Sequence, residues 1–250
     1  MSQLRPLALG AATLVLLLTP AAPEARRRRG EPDPGRGELV LDGVPARVRW
    51  NDGDSFRIED GPRRGQRARL VGVNALETFG PVHRWGGWRR EELMGIARGS
   101  AAVAASERWA CTSSGEADRY GRLLVSCPDA ARRLVGAGHA MVFAMDGPAE
   151  PALLAVQRAA QAEGAGMWAK GVPPAIPTSA HGAGKRGLGA RRAYDRIADT
   201  GTGAAVSRPH EAVYEVCQEI CAGPPEARAC LLYVPYERQH RARPPCLLGQ

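Results

Sequence analysis

Three short segments of the sequence combine acidic or arginine side chains with glycines, and these residue types can act on an anionic substrate. Carboxylate oxygens bind hard divalent cations, and a carboxylate can also orient or deprotonate a water molecule. Arginine forks grip phosphoryl oxygens through paired hydrogen bonds. Each pattern also has a structural interpretation, because aspartates stabilise turns and surface arginines form weak ion pairs. The segments are Asp52-Gly53-Asp54-Ser55-Phe56, Arg69–Thr78 and Asp118–Leu123.

Alternating apolar residues and turn signals predict that these segments lie between short strands. Strands are predicted over Leu39–Trp50, Ser55–Glu59, Gln66–Asn74, Trp109–Cys111, Leu123–Cys127 and His139–Ala144. Helices are predicted over Arg89–Ser106, Asp129–Ala137 and Pro151–Glu163. Short strands linked by turns, with helices between them, fit a small closed barrel better than a layered parallel sheet.

Together, the three segments resemble the staphylococcal nuclease (thermonuclease) family. The first is similar to that family's D-G-D-[TS] turn, the second to its R-L-x-G-[IV]-D-x-P-E-T stretch, and the third to its D-x-Y-G-R-L turn. Gly166-Met167-Trp168 is similar to the G-L-W that often closes the domain. The resemblance covers roughly residues 38–170. It implies a mainly β fold with a five-stranded OB-fold barrel and about three helices, and a calcium-assisted phosphodiesterase activity on DNA and RNA.

The resemblance also implies a role for individual positions. Arg69 and Arg122 match the arginines that clamp the phosphate. Glu77 matches the general base or water-orienting carboxylate; its structural alternative is a carboxylate in the first turn of a helix. The remaining implied positions are Asp54, Asp52, Asn74 and Ala75 (through its backbone carbonyl) for the metal, and Tyr120 and Thr78 for substrate binding.

Two departures from the family pattern bear on these roles. Asn74 stands where the family has a second metal-binding aspartate, and an amide oxygen can bind calcium but brings no charge. Leu76 replaces the family's proline, which relaxes the backbone before Glu77. We therefore expect weaker calcium binding or use of another divalent metal. The alternative function is a catalytically weak or inactive OB-fold module that binds nucleic acid, using the same basic groove and the tryptophans Trp85 or Trp88, which otherwise cap the core.

The composition agrees with a basic globular protein. The chain has 250 residues and a formal net charge of +8. This charge makes nucleic acids or anionic lipids plausible partners, although an arginine-rich proteome would produce the same balance. A collagen, a multi-span membrane protein and a long coiled coil are excluded, because the glycines have no three-residue period, only one long apolar run exists, and prolines are scattered throughout.

Residues 1–25 have the three-part pattern of a secretory signal peptide. Their apolar run, Leu7–Leu18, is short for a spanning helix, which needs about 20 residues. The alternative is an uncleaved anchor. We expect a secreted or periplasmic protein, monomeric and without stable membrane association once the leader is removed.

Six cysteines fit three disulfides in an oxidising compartment. Cys111 and Cys127 could pair across a hairpin, whereas the four others, Cys217, Cys221, Cys230 and Cys246, allow three pairings and match no common zinc finger. The remaining chain is divided into a basic linker (26–37), the nuclease-like domain (38–172), a disordered linker (173–206) and a small disulfide-containing tail (207–250), which could bind a cell-wall or protein partner.

Overall fold

The computed structural model describes residues 33–78, 82–183, 193–235 and 244–247. The predicted signal peptide, residues 1–25, lies outside these ranges, as does most of the predicted linker 26–37. The last residues of that linker belong to the fold, since the first strand begins at Arg36.

The described residues form strands, three α-helices and short 3-10 turns. The strands are β1 (Arg36–Leu41), β2 (Val44–Trp50), β3 (Ser55–Ile58), β4 (Arg67–Leu70), β5 (Val73–Ala75), β6 (Val82–Arg84), β7 (Trp109–Ala117), β8 (Leu123–Ser126), β9 (Ala140–Val142), β10 (Ala175–His181), β11 (Ala193–Asp199), β12 (Ala205–His210), β13 (Glu219–Ala222) and β14 (Ala229–Leu232). The helices are α1 (Arg90–Ala104), α2 (Pro128–Gly136) and α3 (Pro151–Glu163), and the 3-10 turns are Gly166–Trp168 and Pro245–Leu247.

A closed barrel with the strand order β1-β2-β3-β4-β8-β7 forms the centre of the fold. Parallel pairing of β1 with β7 and of β4 with β8 completes the ring. Alternate strand residues point inward, so that Leu39, Val48, Phe56 and Val125 are fully buried. The prediction of a mainly β barrel with three helices is confirmed.

The ring contains six strands rather than the predicted five because one predicted strand is a hairpin. Asp42 and Gly43 have φ values of +51° and +80°, which are typical of a tight hairpin turn. They divide the predicted Leu39–Trp50 strand into β1 and β2, which pair antiparallel.

A second interruption matters more for the candidate site. The predicted strand Gln66–Asn74 breaks at Gly72, which has a φ of +80°. The segment before the break, β4, stays in the barrel, whereas β5 leaves it and pairs with β9. The break therefore separates the backbone that carries Arg69 from the backbone that carries Asn74.

The three helices pack around the barrel. Prediction and structure agree on α3, and α1 and α2 differ from their predicted bounds by one or two residues at either end. The indole N–H groups of Trp85 and Trp88 donate to the carbonyls of Gly171 and Met167, at 3.1 and 2.9 Å, so both tryptophans are tied to the core, in agreement with the capping interpretation. Within the described ranges, no helix combines the length and apolarity needed to cross a bilayer.

The prediction of a disordered linker over residues 173–206 is wrong for the residues described. This stretch contains β10 and β11, which form a three-stranded sheet with β12. The sheet is tied to α3, because the buried Gln157 donates to the Thr200 carbonyl at 2.6 Å. The strands are hard to recognise because they bury mostly small side chains and because the pairing shifts register after Pro177. Residues 184–192 of the predicted linker lie outside the described ranges.

Residues 207–235 are joined to the preceding domain rather than forming a separate tail. Strands β13 and β14 form a hairpin, and β14 also pairs antiparallel with β6. Three disulfides are present, joining Cys111 to Cys127, Cys217 to Cys246, and Cys221 to Cys230. The pairing expected for Cys111 and Cys127 is therefore found, and one of the three alternatives for the other four cysteines is selected.

Candidate active site

The buried carboxylate of Asp54 lies at the centre of the candidate site, on the turn between β2 and β3. Asp54 is 1% exposed. Its Oδ1 accepts a hydrogen bond from Nη1 of Arg69 at 2.6 Å, and its Oδ2 accepts one from the backbone N–H of Ala75, also at 2.6 Å. A Cβ on the preceding Gly53 would lie 2.9 Å from the Ser100 Cβ, so glycine is required for the turn to pack this closely.

Asp52 organises the same turn. Its Oδ1 accepts hydrogen bonds from the backbone N–H of Ser55 at 2.8 Å and from the Ser55 hydroxyl at 2.7 Å, with a longer bond from the Asp54 N–H at 3.3 Å. This is the turn-stabilising role that was the structural alternative for Asp52. It also fixes the backbone that presents Asp54.

Arg69, from β4, links the two side chains expected to bind a metal. Besides its bond to Asp54, it donates from Nη2 to Oδ1 of Asn74 at 2.9 Å. The Asn74 amide in turn donates from Nδ2 to the Ala75 carbonyl at 2.7 Å, which fixes its orientation. The structure thus brings Asp54, Arg69, Asn74 and Ala75 together, and a guanidinium lies between the carboxylate and the amide.

Burial dominates the electrostatics of this cluster. It raises the pKa of Asp54 well above its usual value, and the neighbouring charge of Asp52 acts in the same direction, whereas the charge of Arg69 opposes both. Two acidic groups therefore share a poorly solvated turn with one directly bonded cation. Such an arrangement favours a further positive charge.

Glu77 follows β5 and is half-buried. Burial raises its pKa to about 7, and the charge of Asp52 adds to that effect. The charges of Arg69, Arg122 and Arg196 lower it, so Glu77 lies within the field of three arginines. A carboxyl with a pKa near neutrality can accept a proton from water at physiological pH.

Arg122 is positioned by Asp118 across a tight loop that includes Gly121, with a φ of +69°. Asp118 Oδ1 accepts from the backbone N–H groups of Tyr120 and Arg122, at 2.9 and 3.0 Å. Its Oδ2 accepts from Nε of Arg122 at 2.8 Å. The sequence motif includes Asp118, but its positioning role follows only from these contacts.

The two residues expected to contact substrate, Tyr120 and Thr78, differ in how exposed their functional groups are. Tyr120 is 46% exposed, and the Cζ atoms of Arg119 and Arg122 lie 4.8 and 5.5 Å from its ring centre, so its ring is available beside two guanidinium groups. The Oγ1 of Thr78 is buried with no hydrogen-bond partner. Among the described residues the Thr78 hydroxyl therefore has no hydrogen-bond partner, whereas the Tyr120 ring is exposed.

The donor set fits a hard divalent cation. Asp54 and Asp52 offer carboxylate oxygens, Asn74 offers an amide oxygen and Ala75 a backbone carbonyl, and oxygen donors of these kinds are those that calcium prefers. Since Arg69 already occupies one oxygen of Asp54 and that of Asn74, a cation bound between them would compete with the guanidinium.

Comparison with known protein families gives a match over the central part of the chain. The family described as staphylococcal nuclease homologue matches residues 67–170. The matched segment contains Arg69, Asn74, Glu77 and Arg122, whereas Asp54 precedes it. No curated protein matches the chain. Residues 67–170 are thus similar to the staphylococcal nuclease homologue family, and the barrel extends beyond this segment, since its first three strands precede it.

Proposed function

We propose that the protein is a divalent-metal-dependent phosphodiesterase that hydrolyses DNA, RNA or both by attack of water on phosphorus. The family supports a nuclease-like activity and a nucleic-acid substrate. The observation that supports hydrolysis by water attack is the half-buried Glu77, which has a pKa of about 7 and lies in the combined field of Arg69 and Arg122.

Each side chain then has a distinct task. Arg69 and Arg122 hold the non-bridging oxygens of the scissile phosphate, and Glu77 accepts a proton from the attacking water. As the water oxygen bonds to phosphorus, the bond from phosphorus to the leaving oxygen breaks, and that oxygen is protonated from solvent. A divalent cation held by Asp54 and Asn74, with Asp52 and Ala75 nearby, would neutralise charge on the phosphoryl oxygens.

Arg69 can serve this mechanism only if its present bonds are exchanged. Its guanidinium is shared between Asp54 and Asn74. A cation that competes for these oxygens would release Arg69 toward a phosphate that approaches from solvent, since the Arg69 side chain is 17% exposed. Metal binding and phosphate binding are therefore expected to be mutually favourable.

The test is digestion of plasmid, single-stranded DNA and RNA by the purified protein with calcium, magnesium, manganese or a chelator. We expect cleavage with a divalent ion and none with chelator, and a loss of at least a hundredfold in Glu77→Gln, the usual scale for a proton-transfer group. Glu116→Gln, on the exposed part of β7, is the matched control. Absence of cleavage with every ion, or equal cleavage by Glu77→Gln, would overturn the proposal.

A second candidate function is nucleic-acid binding without cleavage. It is favoured by Asn74, which brings no charge to the metal position, and by the engagement of both implied ligand oxygens with Arg69. This alternative predicts salt-sensitive binding with no product under any divalent ion. The digestion experiment therefore separates the two.

We also propose that the protein is exported and acts as a monomer in the periplasm or outside the cell. The leader-like residues 1–25 and the three disulfides support this proposal. Fractionation of cells that express the full chain, together with the mass of the exported product, tests the location, removal of the leader and the oligomeric state.

A further inference from the structure

Arg196 lies at the centre of β11, in the sheet that follows the matched nuclease segment. Its backbone pairs with Ser179 of β10 and Ser207 of β12. Its side chain is half-buried, and the Nε atom is buried without a hydrogen-bond partner. A buried donor without an acceptor is costly, and because the side chain as a whole is only half-buried, a ligand that reaches its exposed part can supply an acceptor.

Aromatic contacts connect Arg196 with the loop that carries Arg122. The Cζ of Arg196 lies 5.9 Å from the ring centre of Tyr194. Arg119 bridges that ring and the ring of Tyr120, with its Cζ 4.8 Å from each. Arg122 lies on Tyr120 as well, at 5.5 Å. Tyrosine and arginine side chains therefore form a continuous stack from β11 to the candidate active site.

A second contact places Arg196 beside the break between β4 and β5. Its Cζ lies 5.9 Å from the ring centre of Phe143. The backbone N–H of Phe143 donates to the carbonyl of Gly72 at 2.9 Å, and Gly72 is the residue at which β5 leaves the barrel. Arg196 is thus linked through Phe143 to the point at which β5 leaves the barrel.

The charges around Arg196 are mostly of its own sign. Burial lowers the pKa of Arg196, and the charges of Arg119, Arg69 and Arg122 lower it further. Among the described residues, neither Arg196 nor Arg119 forms a salt bridge, whereas Arg69 and Arg122 each have an aspartate partner. A cluster of guanidinium groups with two unpaired members favours binding of a polyanion.

We propose that the C-terminal sheet contributes to substrate binding, with Arg196 holding a phosphate of a polynucleotide next to the phosphate held by Arg69 and Arg122. The inference rests on the proposed function for the identity of the ligand but not on cleavage. It implies that the protein prefers polynucleotides to substrates with a single phosphate, because only a chain of several phosphates reaches both positions.

Binding without hydrolysis tests this inference. Fluorescence anisotropy would be measured in chelator with a labelled single-stranded 12-mer, for the wild type, Arg196→Gln, Arg196→Lys and Arg208→Gln. Arg208 is the matched control, since it is exposed on the neighbouring strand β12. Thymidine 5′-phosphate, by competition or calorimetry, serves as the single-phosphate probe.

We expect Arg196→Gln to weaken binding of the 12-mer about tenfold, the scale of one lost charged hydrogen bond. The slope of log K against log salt should decrease by about 0.7, the value for one phosphate contact on a single strand. Arg196→Lys should keep the slope, Arg208→Gln should behave as the wild type, and thymidine 5′-phosphate should bind Arg196→Gln unchanged. Wild-type affinity and slope in Arg196→Gln, or an equal loss for both probes, would overturn the inference.

A measurement on the wild type covers the case in which Arg196→Gln does not fold. Phenylglyoxal modification, mapped by mass spectrometry, should be slowed at Arg196 by the 12-mer and unchanged at Arg208. Equal modification of Arg196 with and without the 12-mer would refute the inference. Failure of the digestion experiment would leave these binding results intact, so the two proposals fail separately.

Discussion

His83 provides a test of how the C-terminal hairpin is attached to the domain. It lies in β6, the strand that pairs with β14, and is 3% exposed. Its Nε2 lies 3.0 Å from the carbonyl of Pro177, so Nε2 carries a hydrogen and donates it to that oxygen. Burial lowers its pKa from 6.5 to about 4, with the hydrogen bond to Pro177 acting in the opposite direction.

This shift fixes both the sign and the size of a pH effect. Between pH 6.5 and 4 the unfolded chain binds a proton on His83 that the folded chain does not, so the free energy of unfolding decreases as the pH falls. The stabilisation that comes from the neutral His83 is complete above pH 6.5. A difference of about 2.5 units corresponds to about 3.4 kcal/mol in total, of which about 2.4 kcal/mol is lost between pH 7.0 and 4.5.

The assay compares urea unfolding of the wild type and His83→Gln at pH 7.0 and 4.5, followed by tryptophan fluorescence. Glutamine retains an N–H donor for Pro177 but does not titrate. We expect the wild type to lose roughly 2 kcal/mol more than the variant over this range. The partly buried His139 is present in both proteins, so its own contribution cancels. Equal losses in the two proteins would refute the placement of a neutral, buried His83 in this strand.

Three further predictions concern the candidate site and the barrel. Asn74→Asp should tighten calcium binding several-fold in calorimetry, because it adds a charged oxygen; no gain, or a loss, would mean that this side chain does not face the ion. Asp118→Asn should lower kcat at least tenfold with an unchanged circular dichroism spectrum, because Arg122 loses its charged partner, and full activity would contradict the positioning role. Replacing Cys111 and Cys127 together by serine should lower the free energy of unfolding by about 3 kcal/mol in urea, because the disulfide closes a loop of 16 residues; an unchanged midpoint would argue against that bond in solution.

Local patterns predicted much of the barrel and of the candidate site. The bounds of α3 follow from Pro151 at its first position and from Gly164, which ends it with a φ of +65°. The first two motif segments meet at Asp54 through the hydrogen bonds from Arg69 and Ala75, and the charges of Arg69 and Arg122 both lower the pKa of Glu77. The breaks at Asp42-Gly43 and at Gly72 could not be predicted from the sequence, because each lies within a run of alternating residues that is typical of one continuous strand.

The C-terminal sheet escaped prediction for a different reason. Its strands are rich in alanine and contain few large apolar residues, so they lack the large apolar alternation by which strands are recognised. The position of Arg196 depends on contacts with Phe143 and with Tyr194, and the first of these is distant in sequence. Such a contact leaves no local signal, so nothing in the sequence distinguishes Arg196 from the other arginines.

The pairing of β14 with β6 has a practical consequence for protein production. A recombinant fragment trimmed to residues 67–170 would omit β1–β3 and Asp54, and it would leave β6 with a bare hydrogen-bonding edge. Exposed strand edges act as templates for intermolecular pairing. Expression of a chain that keeps β1–β3 and the terminal hairpin is therefore the sound starting point for crystallisation and for functional assays.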